Sequence, residues 1–348
     1  MKKRLIGGIA LLASLLSACS DGELEVSTQG ERVEAGLERE WVPDGSPVRQ
    51  SAFSRDGRML ATGSASGRVT LRETESWRVV ADLIHAGGAT SLAFSSDGRR
   101  LYTAGYDGNV RAWDVAGRRE IGLLAGAAGT IWTIDISPDG RRLAAAGEDK
   151  IIRIWRLDRR AEPMRLTGHE RNIWEVRFSP DGSRLASGSF DATARLWDAG
   201  TGAHLRTLTG HEEAVVGLAY SADGRLLATG GDDSTIRLWR AADGAPLRTI
   251  ESDNHVHKIA FSPDGRWLAG TGRARSNLGA FWHALTGAGG EVRPVHLWRV
   301  ADGALVQALP HSGDVMYAAF SPDGRRLVTG GEDGRARLWR IREKTRGR

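Results

Sequence analysis

Residues 168–198 read GHERNIWEVRFSPDGSRLASGSFDATARLWD. Three β-rich runs of strand length follow one another here, each bounded by Gly, Asp or Pro. The first runs through Ile173, Val176 and Phe178, which are expected to face neighbouring sheets; the second begins at Leu185; the third holds Leu196 and Trp197. Pro180-Asp181-Gly182 makes the first turn, because Pro presets φ and Gly accepts a positive φ. A fourth, outer strand is expected from His204 to Gly210. The same phrase returns seven times between Ala52 and Arg340, with Asp-Gly turns beginning at Asp56, Asp97, Asp139, Asp181, Asp223, Asp264 and Asp323. Successive spacings are 41, 42, 42, 42, 41 and 59 residues. A period of roughly 40–45 residues is one four-stranded propeller blade. The expected fold is therefore all-β, a seven-bladed β-propeller, although 348 residues would otherwise suggest about two domains.

A second set of residues recurs in register. His169, Ser187, Asp191 and Trp197 correspond to His85, Thr103, Asp107 and Trp113, to His211, Thr229, Asp233 and Trp239, and to His311, Thr329, Asp333 and Trp339. In each set His precedes Asp by 22 residues and Asp precedes Trp by six. On these residues the chain resembles the WD40-repeat family over about residues 37–341. The resemblance implies that each set is a buried structural tetrad rather than a catalytic group. Physically such a set is a relay: imidazole has two nitrogens to satisfy, a carboxylate accepts and an indole N–H donates.

Three blades depart from the pattern. Blade 1 has Ser66 at the Asp position and Arg72 at the Trp position; blade 3 has Ala127 in place of His; blade 6 keeps Trp298 but lacks the Asp. The run LEREWV, Leu37 to Val42, sits where outer strands sit in other repeats. It is expected to complete the last blade, whose other strands come from residues 314–341, so that no sheet edge is left open.

The N-terminus reads differently. Residues 1–18 combine Lys2-Lys3-Arg4 with a short apolar core from Leu5 to Leu16, the pattern of a secretory signal and too short for a membrane span. Leu16-Ser17-Ala18-Cys19 resembles a bacterial lipobox, which implies cleavage before Cys19 and its lipidation. Cys19 is the only cysteine, so no intramolecular disulfide can form. Residues 19–36 are expected to be the lipidated Cys and a flexible tether, and residues 342–348 a basic tail. Ser20 suggests the outer membrane, facing the periplasm, over the inner one. The formal charge is +5, of which Lys2, Lys3 and Arg4 supply three. The remaining +2, spread over repeat positions, argues against a nucleic-acid partner.

Function is expected on the face that, by the family resemblance, carries the His loops and the tetrad Asp turns. Residues 273–294 interrupt blade 6 with a long loop holding Phe281, Trp282 and His283, suited to partner capture or to tucking over the blade. Trp132 and Trp174 stand four residues before Ile136 and Phe178, near the channel mouth; Arg49, Thr90, Val216, His257 and Met316 occupy the same position elsewhere. They can serve as partner anchors or as packing between blades. The residues before each tetrad Asp (Tyr106, Glu148, Phe190, Asp232 and Glu332) mix aromatic and acidic groups, which suits a protein or peptide partner with basic residues.

On the opposite face the post-turn arginines, among them Arg142 and Arg326, form either a basic ring for anionic headgroups or ordinary solvated hairpin residues. No phosphate loop or decisive metal spacing occurs, and no cofactor is expected; His255 and His257 share one side of a strand without a third ligand. The expected function is a non-catalytic, lipid-anchored protein-interaction scaffold, with a monomeric propeller. The alternatives are a propeller enzyme, or a small-ligand or polysaccharide-binding module, with its site at the channel mouth.

Overall fold

The computed structural model describes residues 32–159, 161–273 and 293–344. Its described residues form seven four-stranded antiparallel sheets and no helix. The innermost strands are β2 (Val48–Phe53), β6 (Ala89–Phe94), β10 (Ile131–Ile136), β14 (Ile173–Phe178), β18 (Val215–Tyr220), β22 (His255–Phe261) and β26 (Val315–Phe320). Each touches the next and β26 touches β2, so they close a ring around a central channel. The molecule is a seven-bladed propeller, as the period requires.

The turns explain the recurring Ser-x-Asp-Gly. In blade 4, Ser179 Oγ donates to Asp181 Oδ1 (2.5 Å) and accepts the Arg184 N–H (3.0 Å). Asp181 Oδ1 also accepts the Ser183 N–H at 3.0 Å, and Gly182 has φ +70°. The bonds from the Ser179 hydroxyl and the Ser183 amide hold the Asp181 carboxyl below the usual carboxylate range. The Ser-to-Asp bond recurs in every blade. Between blades the core is apolar: Ile173, Val176, Phe178, Leu185 and Trp197 pack with Ala144, Ile152 and Leu166 of blade 3.

Closure is more extensive than the sequence suggests. Strand β1 (Arg32–Trp41) pairs antiparallel with β28 (Ala336–Lys344). The first strand thus begins before Leu37, inside the expected tether, and stops short of Val42. At the other end β28 continues past Ile341 to Lys344, into the segment expected to be a basic tail. Val33 and Ala35 are buried against Trp267, Val295 and Leu309 of blade 6. Gln307 completes the join, its Oε1 accepting the Ala35 N–H (2.7 Å) and its Nε2 donating to the Ala35 carbonyl (2.9 Å). Only alternate residues of this strand face the core, so the segment reads as polar in the sequence.

The tetrads form in three blades as read. Trp197 Nε1 donates to Ser187 Oγ (2.9 Å), so the hydroxyl proton goes to His169 Nε2 (2.7 Å) and Nδ1–H is left for Asp191 (2.7 Å). His211 with Thr229, Asp233 and Trp239 makes the same connections, and His85 joins Thr103, Asp107 and Trp113 with its ring turned over, Nδ1 at Thr103 and Nε2 at Asp107. Burial works against the Asp191 and Asp233 charges, but the bonds from His, Thr and backbone amides together outweigh it and hold both carboxyls low.

Blade 7 differs from that reading. Trp339 Nε1 and His311 Nε2 both meet Thr329 Oγ1, but His311 Nδ1 donates to the Leu309 carbonyl at 2.9 Å. Asp333 instead takes Arg337 (2.7 Å) and Ser312 (3.0 Å). Burial, with Arg337 nearby, pushes the His311 imidazole down to about 4, so a neutral ring bonded to a carbonyl is the stable arrangement.

Two of the three atypical blades have substitutes. In blade 1, Asp44 Oδ2 accepts from Ser64 (2.7 Å) and Ser66 (2.5 Å). Trp41 and Trp77 meet edge-on at 5.0 Å, with Arg72 over Trp41. In blade 3, Asp149 accepts the Ala128 N–H (3.1 Å) and pairs with the buried Arg153 (2.7 Å).

Candidate binding site at the channel mouth

Seven inner strands bring seven equivalent positions to one end of the channel. The cleft there, about 360 Å³, is lined by Arg49, Thr90, Trp132, Trp174, His257 and Met316 from those positions, together with Tyr106, Lys258, Arg273, Asp314 and Glu332. The bulges between Ile131 and Thr133 and between Ile173 and Glu175 interrupt the strand pairing where Trp132 and Trp174 stand. The two indoles stack, with centroids 4.8 Å apart and planes 21° from parallel. Tyr106 meets Trp132 edge-on at 5.8 Å; Phe190 and His257 meet Trp174 edge-on at 5.3 and 5.5 Å. The tryptophans pack across two blades, and each stays half-buried at the cleft.

Two of the three rim acids are occupied with internal bonds. Glu148 Oε2 accepts the Thr130 N–H at 3.0 Å, and Glu332 pairs with Arg49 at 2.6 Å. Burial raises the Asp232 carboxyl despite the charges of Arg273 and His255, the latter 3.6 Å away. Phe281, Trp282 and His283 lie outside the described residues, as do residues 1–18, expected to be a signal, and Cys19 with the first part of the expected tether. No group of three metal-ligating side chains occurs among the described residues.

A belt of side chains just below the mouth was not singled out from the sequence. Its members directly follow the mouth positions: Gln50, Ser91, Thr133, Glu175, Gly217, Lys258 and Tyr317. Gln50 Oε1 accepts the Leu92 N–H (3.1 Å), Ser91 Oγ the Ile134 N–H (3.0 Å) and Thr133 Oγ1 the Val176 N–H (3.3 Å), each staple joining one blade to the next. In blade 5 the position is Gly217, where a Cβ would meet Ile259 Cγ1 at 3.0 Å. Over this gap Lys258 Nζ of blade 6 reaches Glu175 of blade 4, which Arg177 also contacts. Burial lowers the Lys258 ammonium, while its contact with Glu175 favours keeping the charge. The repeat alignment held this signal: one column changes from hydroxyl and amide to Glu, Gly and Lys in successive blades.

At the other end of the molecule, two of the post-turn arginines are structural. Arg142 donates to the Ala199 and Gly182 carbonyls, both at 2.8 Å, and Arg326 to Thr74 at 3.3 Å and Glu38 at 3.2 Å. Their guanidinium groups tie blades together instead of forming a free basic ring.

A family model described as WD domain, G-beta repeat matches residues 40–71, 78–114, 118–156, 162–198, 202–240, 244–277 and 303–340. The chain belongs to the WD40-repeat family. No curated protein matches it. WD40 propellers commonly serve as protein-interaction scaffolds, and in this WD40 chain the tetrads, the Asp-Gly turns and the ring closure are accounted for as architecture. The groups left at the mouth after that accounting are the aromatic cluster and the charges around it.

Proposed function

We propose that this WD40 protein is a non-catalytic scaffold, lipid-anchored through Cys19 in the bacterial envelope and facing the periplasm, that captures a protein partner at the channel mouth. The observation that carries the reading is the Trp132–Trp174 stack, flanked by Tyr106 and Phe190 and half-open to solvent. Large aromatic side chains supply binding area with few rotatable bonds and dominate many interfaces. A rigid ring suits display: each inner strand is held on both sides, so the cluster needs no ordering on binding. The Leu16-Ser17-Ala18-Cys19 motif supports the anchor, and Ser20 supports the outer membrane.

The test is cross-linking in solubilised envelopes, comparing wild type with Trp132→Ala/Trp174→Ala. A specific partner present with wild type and lost with the double variant is expected. The same partners captured by both proteins would move the interface away from the mouth. A Cys19→Ser protein is expected to leave the membrane fraction; its retention there would refute the anchor.

A further inference from the structure

The charges at the channel mouth do not cancel locally. Of the three cations lining the cleft, Arg49 is taken by Glu332 and Lys258 by Glu175. Asp314 is held by Arg293. Arg273 forms no ion pair with an acid among the described residues, and acts on Asp232 and His257 only as a charge at a distance. Of the acids that the sequence offered to a basic partner, Glu148 and Glu332 are occupied and burial raises Asp232 toward its neutral form, so the cation lining the cleft without an ion pair among the described residues is Arg273.

Polar atoms at the same cleft also lack partners. Trp132 Nε1 is buried with no hydrogen-bond partner among the described residues, and so are both ring nitrogens of His257. His257 is 2 % exposed. The Met316 backbone favours its charged form, but from outside hydrogen-bond geometry; burial and the nearby Arg273 and Arg49 charges leave the ring neutral. A neutral imidazole keeps one N–H donor, and the indole keeps another. Buried donors without acceptors are uncommon in folded proteins, and each calls for an explanation such as a water, an ion or a bound group. Two residues with an unpartnered buried N–H, one guanidinium outside any ion pair among the described residues, and an aromatic wall thus line one cleft of about 360 Å³.

We propose that the cleft takes a peptide carboxylate, its oxygens accepting from Trp132 Nε1 and Arg273, with an apolar side chain of the same peptide laid on the Trp132–Trp174 face. This rests on the protein-capture reading above and names the group captured. A carboxylate has two oxygens with about four acceptor sites, enough for both donors and His257. The bonds are charge-assisted, the stronger kind. The carboxylate is a chain terminus or an acidic side chain; the chemistry is shared, and the two sources separate experimentally.

The experiment is a titration of the indole-labelled protein by NMR, following the Trp132 N–H resonance assigned with Trp132→Phe. Three acetylated tripeptides serve as probes: one ending in phenylalanine as the free acid, the same as its amide, and an aspartyl-phenylalanine amide. The free acid or the aspartyl peptide is expected to shift the resonance saturably, with Kd below about 1 mM, and the neutral amide to bind at least about tenfold more weakly. Whichever acid binds identifies the source. Arg273→Gln is expected to weaken acid binding about tenfold without moving the resonance of the unliganded protein, and Arg273→Lys to retain most of it. Equal binding of acid and amide, no effect of Arg273→Gln, or no titration by any probe overturns the proposal. Glucuronate matching the best peptide overturns it in favour of a sugar acid. If no peptide titrates while Trp-dependent partner capture persists, the carboxylate assignment fails and the scaffold reading stands. If an acid titrates and no partner is captured, the reverse holds.

Discussion

Lys258 of blade 6 contacts Glu175 of blade 4 across Gly217 of blade 5. It is the one staple in the channel belt that skips a blade, and it links residues 83 apart in the chain. Removing one partner of a buried ion pair typically costs about 3–5 kcal/mol, because the other charge is left behind. Here Arg177 still contacts Glu175, so Lys258→Met is expected to cost less, about 2 kcal/mol. Glu175→Gln/Lys258→Met is expected to cost less than the sum of its single variants by at least about 1 kcal/mol. Urea denaturation of the four proteins measures this; strict additivity would mean that the contact carries no coupling.

Closure by β1 makes the N-terminal strand a stability element. Deleting residues 32–41 is expected to lower the unfolding free energy by at least about 3 kcal/mol, through lost burial of Val33 and Ala35 and of the β28 ladder bonds. A deletion starting from the first residue and ending at 31 leaves the strand intact and is expected to melt like the longer chain. Equal melting of both truncations would contradict the closure.

The buried imidazole of His257 makes stability depend on pH. Its pKa is pushed from 6.5 down to about 3, mainly by burial. The unfolded chain therefore takes up this proton first as pH falls. The stability associated with the neutral ring is complete above about 6.5 and is lost progressively toward pH 3. Between about pH 7 and about pH 4 the wild type is expected to lose about 3 kcal/mol more than His257→Gln. Parallel curves of unfolding free energy against pH for the two proteins would show that the ring is not buried neutral.

The tryptophans divide into two kinds. Trp197 is 2 % exposed and donates into its tetrad. Trp197→Ala is expected to cost about 3–5 kcal/mol, as large core truncations do. Trp132→Ala removes a half-buried stacking partner and is expected to cost about 1 kcal/mol. Thermal melting of both variants checks the contrast; a loss at Trp132 as large as at Trp197 would make the stack core rather than binding surface.

The number of blades, the Asp-Gly turns and three of the four tetrads were legible because each is written within one repeat. A repeat of about 42 residues contains its own turn chemistry and its own hydrogen-bond relay, and recurrence in register supplies the check. The fourth tetrad was not legible. The His311–Asp333 spacing is regular, and only the folded blade shows that His311 turns Nδ1 to the Leu309 carbonyl while Ser312 and Arg337 take Asp333. The start of β1 was hidden for a related reason: Val33 and Ala35 find their apolar partners in blade 6, more than two hundred residues away in the chain.

The channel mouth shows the same division. Alignment of the repeats placed Trp132 and Trp174 at one position in adjacent blades, since the register of a strand follows from its turn. Their stacking, the pairing of Glu332 with Arg49, and the reach of Lys258 to Glu175 depend on how far each blade is rotated about the ring axis. Local sequence determines each blade, because its bonds close within some 40 residues. Only the closed ring decides which side chains of different blades meet, because those contacts join residues with no nearness in the chain, and the charge left over at the mouth is the remainder after those pairings are made.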